Sequence, residues 1–256
     1  MGTTAVMCVG RKNALSPVII LPGEDLNSAT TLATTCALHR RRQVFVIDLP
    51  GQPGLSASYR PHHRRFSVYG RWFDEVVAQL CTDPAVIVGH SAGAAIALSA
   101  TPSVAVSGLV LVNPLGLVPA HQALAFRILR LKWAIDPSME NSEHLLTYLL
   151  SPRFVPESGL IGWYSLTGRC CIKFRYPPPL PRTTIRAWAA SRIPILVATG
   201  AQDQLISPDR LLDPSLSLLG TDVQSIPGCG HLALREAPTT IADLVDTISC
   251  ARRTDS

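Results

Sequence analysis

Val86-Ile87-Val88-Gly89-His90-Ser91-Ala92-Gly93 is the stretch from which the rest of the chain can be read. A β-branched run leads into Gly-x-Ser-x-Gly, and an Ala-rich segment, 94–100, follows. The order predicts strand, tight turn, helix. Ser91 then sits at the apex of a strained turn with its hydroxyl exposed. The flanking glycines let strand and helix approach without a Cβ clash. The helix start behind Ser91 points free N–H groups and a positive dipole end towards it.

The same alternation continues on both sides. Pro17-Val18-Ile19-Ile20-Leu21, Val44-Phe45-Val46-Ile47-Asp48, Leu109-Val110-Leu111-Val112 and Ile195-Leu196-Val197-Ala198 read as buried strands, with a last short strand at Val223 to Ile226. Between them lie helical patterns. The first has Ala29, Leu32, Ala33, Cys36 and Ala37 on its apolar face and is closed by Arg40, Arg41 and Arg42 as C-terminal cations. Others centre on Phe73, Val76, Val77 and Leu80, begin at Ser207-Pro208, and end the chain with Ile241, Leu244, Val245 and Ile248. Repeated strand–helix units predict an α/β fold, a mostly parallel central sheet with helices on both faces. The expected core is 1–113 and 193–256. The stretch 114–192 changes character: it holds three of the four tryptophans and Pro177-Pro178-Pro179-Leu180-Pro181, with helices near 120–134 and 142–150. It reads as an inserted, mainly helical segment.

At 256 residues the chain can bury a large core, and its sparse charge argues against disorder. The formal net charge is +5, with lysine only at Lys12, Lys132 and Lys173. Seven scattered cysteines lack Cys-x-x-Cys spacing, and no His pair completes a zinc site. Most fall in apolar segments, where a free thiol behaves as a small hydrophobe. They point to a reducing compartment, the cytoplasm; 1–15 has no apolar run long enough for a signal peptide. From Pro84 to Phe126 there is no charged residue, but Gly and Pro cut this stretch into pieces too short to span a bilayer. Two central strands around a buried helix explain it. No recognition motif for nucleic acid is present.

A serine hydroxyl is a poor nucleophile until a base accepts its proton and a third group orients that base. In open parallel sheets such groups collect at the carboxyl ends of strands. Asp203 follows one predicted strand in Gly200-Ala201-Gln202-Asp203. His231 follows the last in Gly228-Cys229-Gly230-His231. His90 is expected to pack or to line a pocket, and Cys229 to be a packed thiol. His62, His63 and His121 are expected on the surface or in loops.

These pieces, with Pro22-Gly23, Asp48-Leu49-Pro50-Gly51-Gln52-Pro53-Gly54-Leu55-Ser56 and Arg235-Glu236-Ala237-Pro238, resemble the α/β-hydrolase superfamily over nearly the whole chain outside 114–192. The resemblance implies the α/β-hydrolase fold, with Ser91 as nucleophile, His231 as general base and acid, and Asp203 as its orienter. It implies an oxyanion hole from the backbone N–H groups of Ala92 and Glu24. A carboxylate at Glu24 or Asp25 near that hole would oppose catalysis unless its side chain turns away. No metal or organic cofactor is implied.

The resemblance also makes 114–192 a cap over the site. Gly23, Asp25, His90, Trp133, Trp163 and Tyr164 are candidates to line the substrate pocket, with Phe154, Phe174 and Trp188 as further aromatics. The expected function is hydrolysis of a carboxylic ester or thioester through an acyl-enzyme on Ser91. The substrate is a small acyl compound. The cap's basic residues (Arg127, Arg130, Lys132, Arg153, Arg169, Lys173, Arg175, Arg182, Arg186 and Arg192) suggest an anionic one, such as a thioester of coenzyme A or of a carrier protein. The alternative is a non-hydrolytic member of the superfamily, a lyase, a cyclase or a ligand-binding receptor.

Overall fold

The computed structural model describes residues 1–61, 65–171, 176 and 178–254. His62, His63, Lys173, Phe174, Arg175 and Pro177 lie outside them. In chain order the first part contains β1 (Val6–Val9), β2 (Val18–Leu21), a 3-10 turn (Ser28–Thr31), α1 (Leu32–Leu38), β3 (Val44–Ile47), α2 (Arg65–Leu80), β4 (Ala85–His90), α3 (Ala92–Ser99) and β5 (Val106–Val112). Four helices follow: α4 (Leu124–Ile135), α5 (Met139–Leu149), α6 (Ser158–Cys170) and α7 (Arg182–Ala190). The chain then returns to the sheet with β6 (Ile195–Gly200), α8 (Pro208–Leu219), β7 (Val223–Ile226), α9 (Ala233–Glu236) and α10 (Pro238–Thr254).

The seven strands form one sheet in the order β1-β3-β2-β4-β5-β6-β7. All pairs are parallel except β1 with β3. The chain winds outward from β2 to β3, then crosses back to β4 on the other side. That reversal leaves a crevice between the carboxyl ends of β2 and β4, where a ligand site is expected in such sheets. Gly23 and Ser91 stand at those two ends.

Period-two alternation divides each central strand between the two faces. Ile19, Leu21, Ile87, Leu109 and Leu111 pack in one cluster with Phe73, Val77 and Ile96 of α2 and α3. Val18, Ile20, Val86, Val88 and Val110 pack in the other with Ile241, Leu244, Val245 and Ile248 of α10. The uncharged stretch 84–126 is thus largely β4, α3 and β5, covered from both sides. No helix among the described residues is long and apolar enough to cross a membrane.

Three local readings are corrected. The apolar face expected from Ala29, Leu32, Ala33 and Cys36 is not the buried one: Leu32 and Cys36 are exposed, and Thr31, Thr34 and Thr35 are buried instead. Their hydroxyls are satisfied by backbone carbonyls, Thr31 by Ser28, Thr35 by Thr31 and Thr34 by Leu234, so burial does not leave them unpaired. Arg41 and Arg42 do not close α1 as local cations. Both pair with Asp246 of α10, and Arg42 is 2% exposed. Of the cysteines only Cys229 is buried; Cys8, Cys36, Cys170 and Cys250 are exposed.

The helices between β5 and β6 do not act as one block. α4 packs on α5 and α5 on α6, whereas α7 packs on α3 and α8, with Trp188 Nε1 donating to Leu98 O at 3.0 Å. The covering over the crevice therefore comes from α4 to α6.

Candidate active site

The turn after β4 holds Ser91 at φ +50°, ψ −114°, a left-handed conformation that is costly for a residue with a Cβ. Close approach fixes both flanking glycines. A Cβ on Gly93 would lie 2.1 Å from Leu21 O, and one on Gly89 would lie 2.7 Å from Ala94 Cα. The turn is thereby pressed against the end of β2, and Ser91 Oγ is carried into the crevice.

His231 Nε2 lies 3.0 Å from Ser91 Oγ, and His231 Nδ1 lies 2.8 Å from Asp203 Oδ2. With Nδ1–H assigned as the donor to the carboxylate, Nε2 accepts from the serine hydroxyl. Asp203 is 3% exposed, and an unpaired charge there would be costly. It is instead surrounded by donors. Oδ1 accepts from Leu205 N at 2.8 Å and Ile206 N at 3.0 Å, and Oδ2 accepts from Asn113 Nδ2 at 2.8 Å. Burial raises its pKa, but His231 and the bonds from Ile206 and Asn113 outweigh it and hold the carboxyl below the usual carboxylate range. A serine hydroxyl on an imidazole that is held by a buried carboxylate can lose its proton as it attacks a carbonyl.

Several groups act one step behind these three. Asn113, at φ +45° after β5, also donates to Gly230 O at 3.1 Å and so ties Asp203 to the loop that carries His231. Glu236 of α9 accepts from Gly230 N, Leu232 N and Ser151 N at 2.8 to 3.1 Å, and His231 N donates to Leu149 O at 2.7 Å. The histidine loop is therefore bonded directly to the end of α5. His90 Nε2 lies 2.7 Å from His231 O, so its proton is placed there. Burial, then the neighbouring His231, pushes the His90 pKa down to about 3, which makes it a neutral brace. Burial pushes the Cys229 thiol up to about 12, and it stays packed and protonated.

A small cavity opens over Ser91. Of the pocket candidates, Gly23, Asp25, His90 and Tyr164 line it, as do Glu24, Arg130, Tyr176 and His231. Trp133 is fully buried elsewhere, with Nε1 donating to Tyr164 O at 3.1 Å. Trp163 stands behind the wall, its Nε1 bonded to Asp25 O at 2.8 Å. Phe154 is 37% exposed and Trp188 packs on α3. Ala92 is the first residue of α3, so its N–H has no acceptor within the helix, and Glu24 follows the end of β2 across the crevice.

Both acids after β2 face the cavity. Glu24 and Asp25 do not turn away; both are buried and line the cavity, Asp25 at φ +59°. Arg130 reaches down from α4 to both, 3.4 Å from Glu24 Oε1 and 3.5 Å from Asp25 Oδ2. Its guanidinium also lies 5.2 Å from the Tyr176 ring centre and 5.8 Å from that of Trp133. Among the described residues no group of three His, Cys, Asp or Glu side chains is set to hold a metal ion.

The sheet order, the strained serine turn and the placement of three polar side chains at strand ends define the α/β-hydrolase class. The sequence model of the alpha/beta hydrolase family matches residues 18–244, and the chain belongs to that family. No curated protein sequence matches it significantly. Among solved structures it is similar to the naproxen esterase (carboxylesterase NP) of Bacillus subtilis, with a TM-score of 0.77 and 18% identity over 96% of this chain and 87% of that one. It is also similar to the carboxylesterase CesB of Bacillus subtilis, with a TM-score of 0.74 and 17% identity over 98% and 88%. A meta-cleavage product hydrolase from Pseudomonas fluorescens gives 0.73 and 20% over 96% and 93%. At these identities the likeness is one of fold.

Proposed function

We propose that the protein is a serine hydrolase that cleaves a carboxylic ester or thioester. Ser91 attacks the acyl carbonyl while His231 takes its proton, and Asp203 stabilises the imidazolium that forms. His231 then protonates the leaving group, an acyl-enzyme on Ser91 remains, and water attacks it by the same route in reverse. The backbone N–H groups of Ala92 and Glu24 receive the oxyanion, each contributing about 3 kcal/mol to the transition state. The observation that carries this reading is the unbroken chain Ser91 Oγ–His231–Asp203, with both hydrogen bonds at 3.0 Å or less.

In this reading α4 to α6 form the lid of the acyl pocket. Arg130, the cap arginine that lines the cavity among the described residues, is already shared by two acids, so the acyl group itself need not be anionic. A coenzyme A or carrier-protein leaving group would meet Arg127, Lys132, Arg153 and Arg169, which are exposed outside. The cavity-lining Glu24 side chain favours a second reading, a fold member that binds a ligand without hydrolysing it.

A panel of p-nitrophenyl acetate, p-nitrophenyl butyrate and butyryl-coenzyme A separates these readings. Turnover of at least one, abolished in Ser91→Ala, is expected. If only the thioester is turned over, and its kcat/KM falls with ionic strength, the carrier-bound substrate class follows. A folded protein that turns over none of the three supports the binding reading.

A further inference from the structure

The Glu24 side chain is a group the proposed mechanism does not use. Glu24 is 9% exposed, its side chain 5%, and it lines the cavity that contains Ser91 and His231. Oε1 faces Arg130, whereas Oε2 has no hydrogen-bond partner among the described residues. An orphaned oxygen in a ligand cavity is a place where a ligand atom completes the bonding.

Charge decides which kind of atom. Glu24 and Asp25 share the Arg130 guanidinium at 3.4 and 3.5 Å, too long for a tight bidentate pair with either. Oε1 already faces Arg130, so a proton on this carboxyl belongs on the unpartnered Oε2. Asp25 is further tied by its backbone, its N–H lying 3.4 Å from Gln52 Oε1 and its carbonyl accepting from Trp163. We infer that Glu24 is held as a neutral carboxylic acid whose Oε2–H donates a hydrogen bond to an oxygen of the acyl substrate seated over Ser91. The inference rests on the reading of Ser91 as nucleophile, and it removes the electrostatic objection to an acid at the oxyanion hole. A neutral acid there adds a donor instead of a repelling charge.

The surroundings point the same way. Burial is the largest influence on Glu24 and raises its pKa well above the usual carboxylate range, and Asp25 adds to the rise. Arg130 of α4, Arg60 of the loop before α2 and Arg65 of α2 oppose it. Tyr164 and Tyr176, whose own pKa values are raised by burial, face the cluster from α6 and the segment after it and carry no charge near neutral pH. His90 and His231 border the cavity from the Ser91 side.

The test has a spectroscopic and a kinetic arm. The infrared difference spectrum of wild type minus Glu24→Gln at neutral pH is expected to show the carbonyl stretch of one protonated carboxyl group. A carboxylate signal in its place overturns the inference. For p-nitrophenyl butyrate, wild-type kcat/KM is expected to fall as pH rises and Glu24 ionises. Glu24→Gln keeps an N–H donor at that position and loses this alkaline limb; Glu24→Ala lowers kcat/KM about tenfold across the range. Coincident pH profiles for wild type and Glu24→Gln overturn the inference. Stability carries the same sign. An acid with a raised native pKa contributes fully below its unfolded pKa, and the contribution is lost as pH rises through the native value. Wild type should therefore lose melting temperature at alkaline pH relative to Glu24→Gln. Labelling by a fluorophosphonate distinguishes the two levels of failure. An unlabelled wild type removes the serine-hydrolase reading itself, whereas equal labelling with coincident pH profiles removes only the role of Glu24.

Discussion

Ser91→Ala is expected to lower kcat/KM for p-nitrophenyl butyrate by about 10⁴-fold or more, down to the residual rate that oriented donors alone can sustain. The fold should survive. Ser91 O accepts from Ala94 N, Ala95 N and Leu115 N through the main chain, and none of these bonds involves the hydroxyl. Alanine at φ +50° bears the same steric strain as serine, so the turn is neither relieved nor worsened. The melting temperature should thus stay within a few degrees of wild type while activity disappears. Loss of activity together with loss of folding would leave no support for a nucleophilic Ser91. A variant retaining more than a tenth of the wild-type rate would contradict it directly.

Asp203→Asn should cost about 10⁴-fold in kcat/KM, for a different reason. The amide cannot satisfy its surroundings. Oδ1 accepts from Leu205 N and Ile206 N, and Oδ2 accepts from Asn113 Nδ2 and faces His231 Nδ1. Whichever way the new amide is turned, its NH2 meets donors. If it faces His231, the imidazole must present an unprotonated Nδ1 and carry its proton on Nε2, where it can no longer accept from Ser91. If it faces the backbone, two buried N–H groups lose their acceptor, at about 1–3 kcal/mol each. The variant should therefore lose stability as well as rate, unlike Ser91→Ala. Thermal melts read beside kcat/KM distinguish the two patterns. An Asp203→Asn enzyme of near-wild-type rate would show that the carboxylate does not orient His231.

Much of this was legible in the chain because the central strands are covered on both faces. Val18 to Leu21, Val44 to Ile47, Val86 to Val88 and Leu109 to Val112 are unbroken apolar runs, and each is a strand. β1 was not legible. Val6-Met7-Cys8-Val9 is a half-exposed edge strand whose pairing with β3 is antiparallel and long in range. α6 and α7 were hidden by Gly159, Gly162 and Gly168 within α6 and by Pro181 before α7, and their burial depends on partners far along the chain. Thr34 and Thr35 misled in the opposite way, because a hydroxyl that finds a carbonyl can occupy a core position.

Ser91, Asp203 and His231 could be picked out because each follows a strand in a recognisable turn. Asn113 and Glu236 stood in plain sight, one after β5 and one in the segment after the histidine loop. Their partners are a carboxylate 90 positions away and three backbone N–H groups from two loops, and no local pattern announces such contacts. In the sequence Arg130 reads only as one of the basic cap residues that suggest an anionic substrate. Its direction depends on which face of α4 meets the acidic turn after β2, which only the packed structure fixes.

The most direct measurement is intact-mass analysis after exposure to a fluorophosphonate probe, with peptide mapping of the adduct and His231→Ala alongside. The account predicts a single adduct on wild type, mapped to Ser91, and no adduct at the same exposure on folded His231→Ala. No adduct on folded wild type, or an adduct on another residue, would contradict an activated serine at position 91.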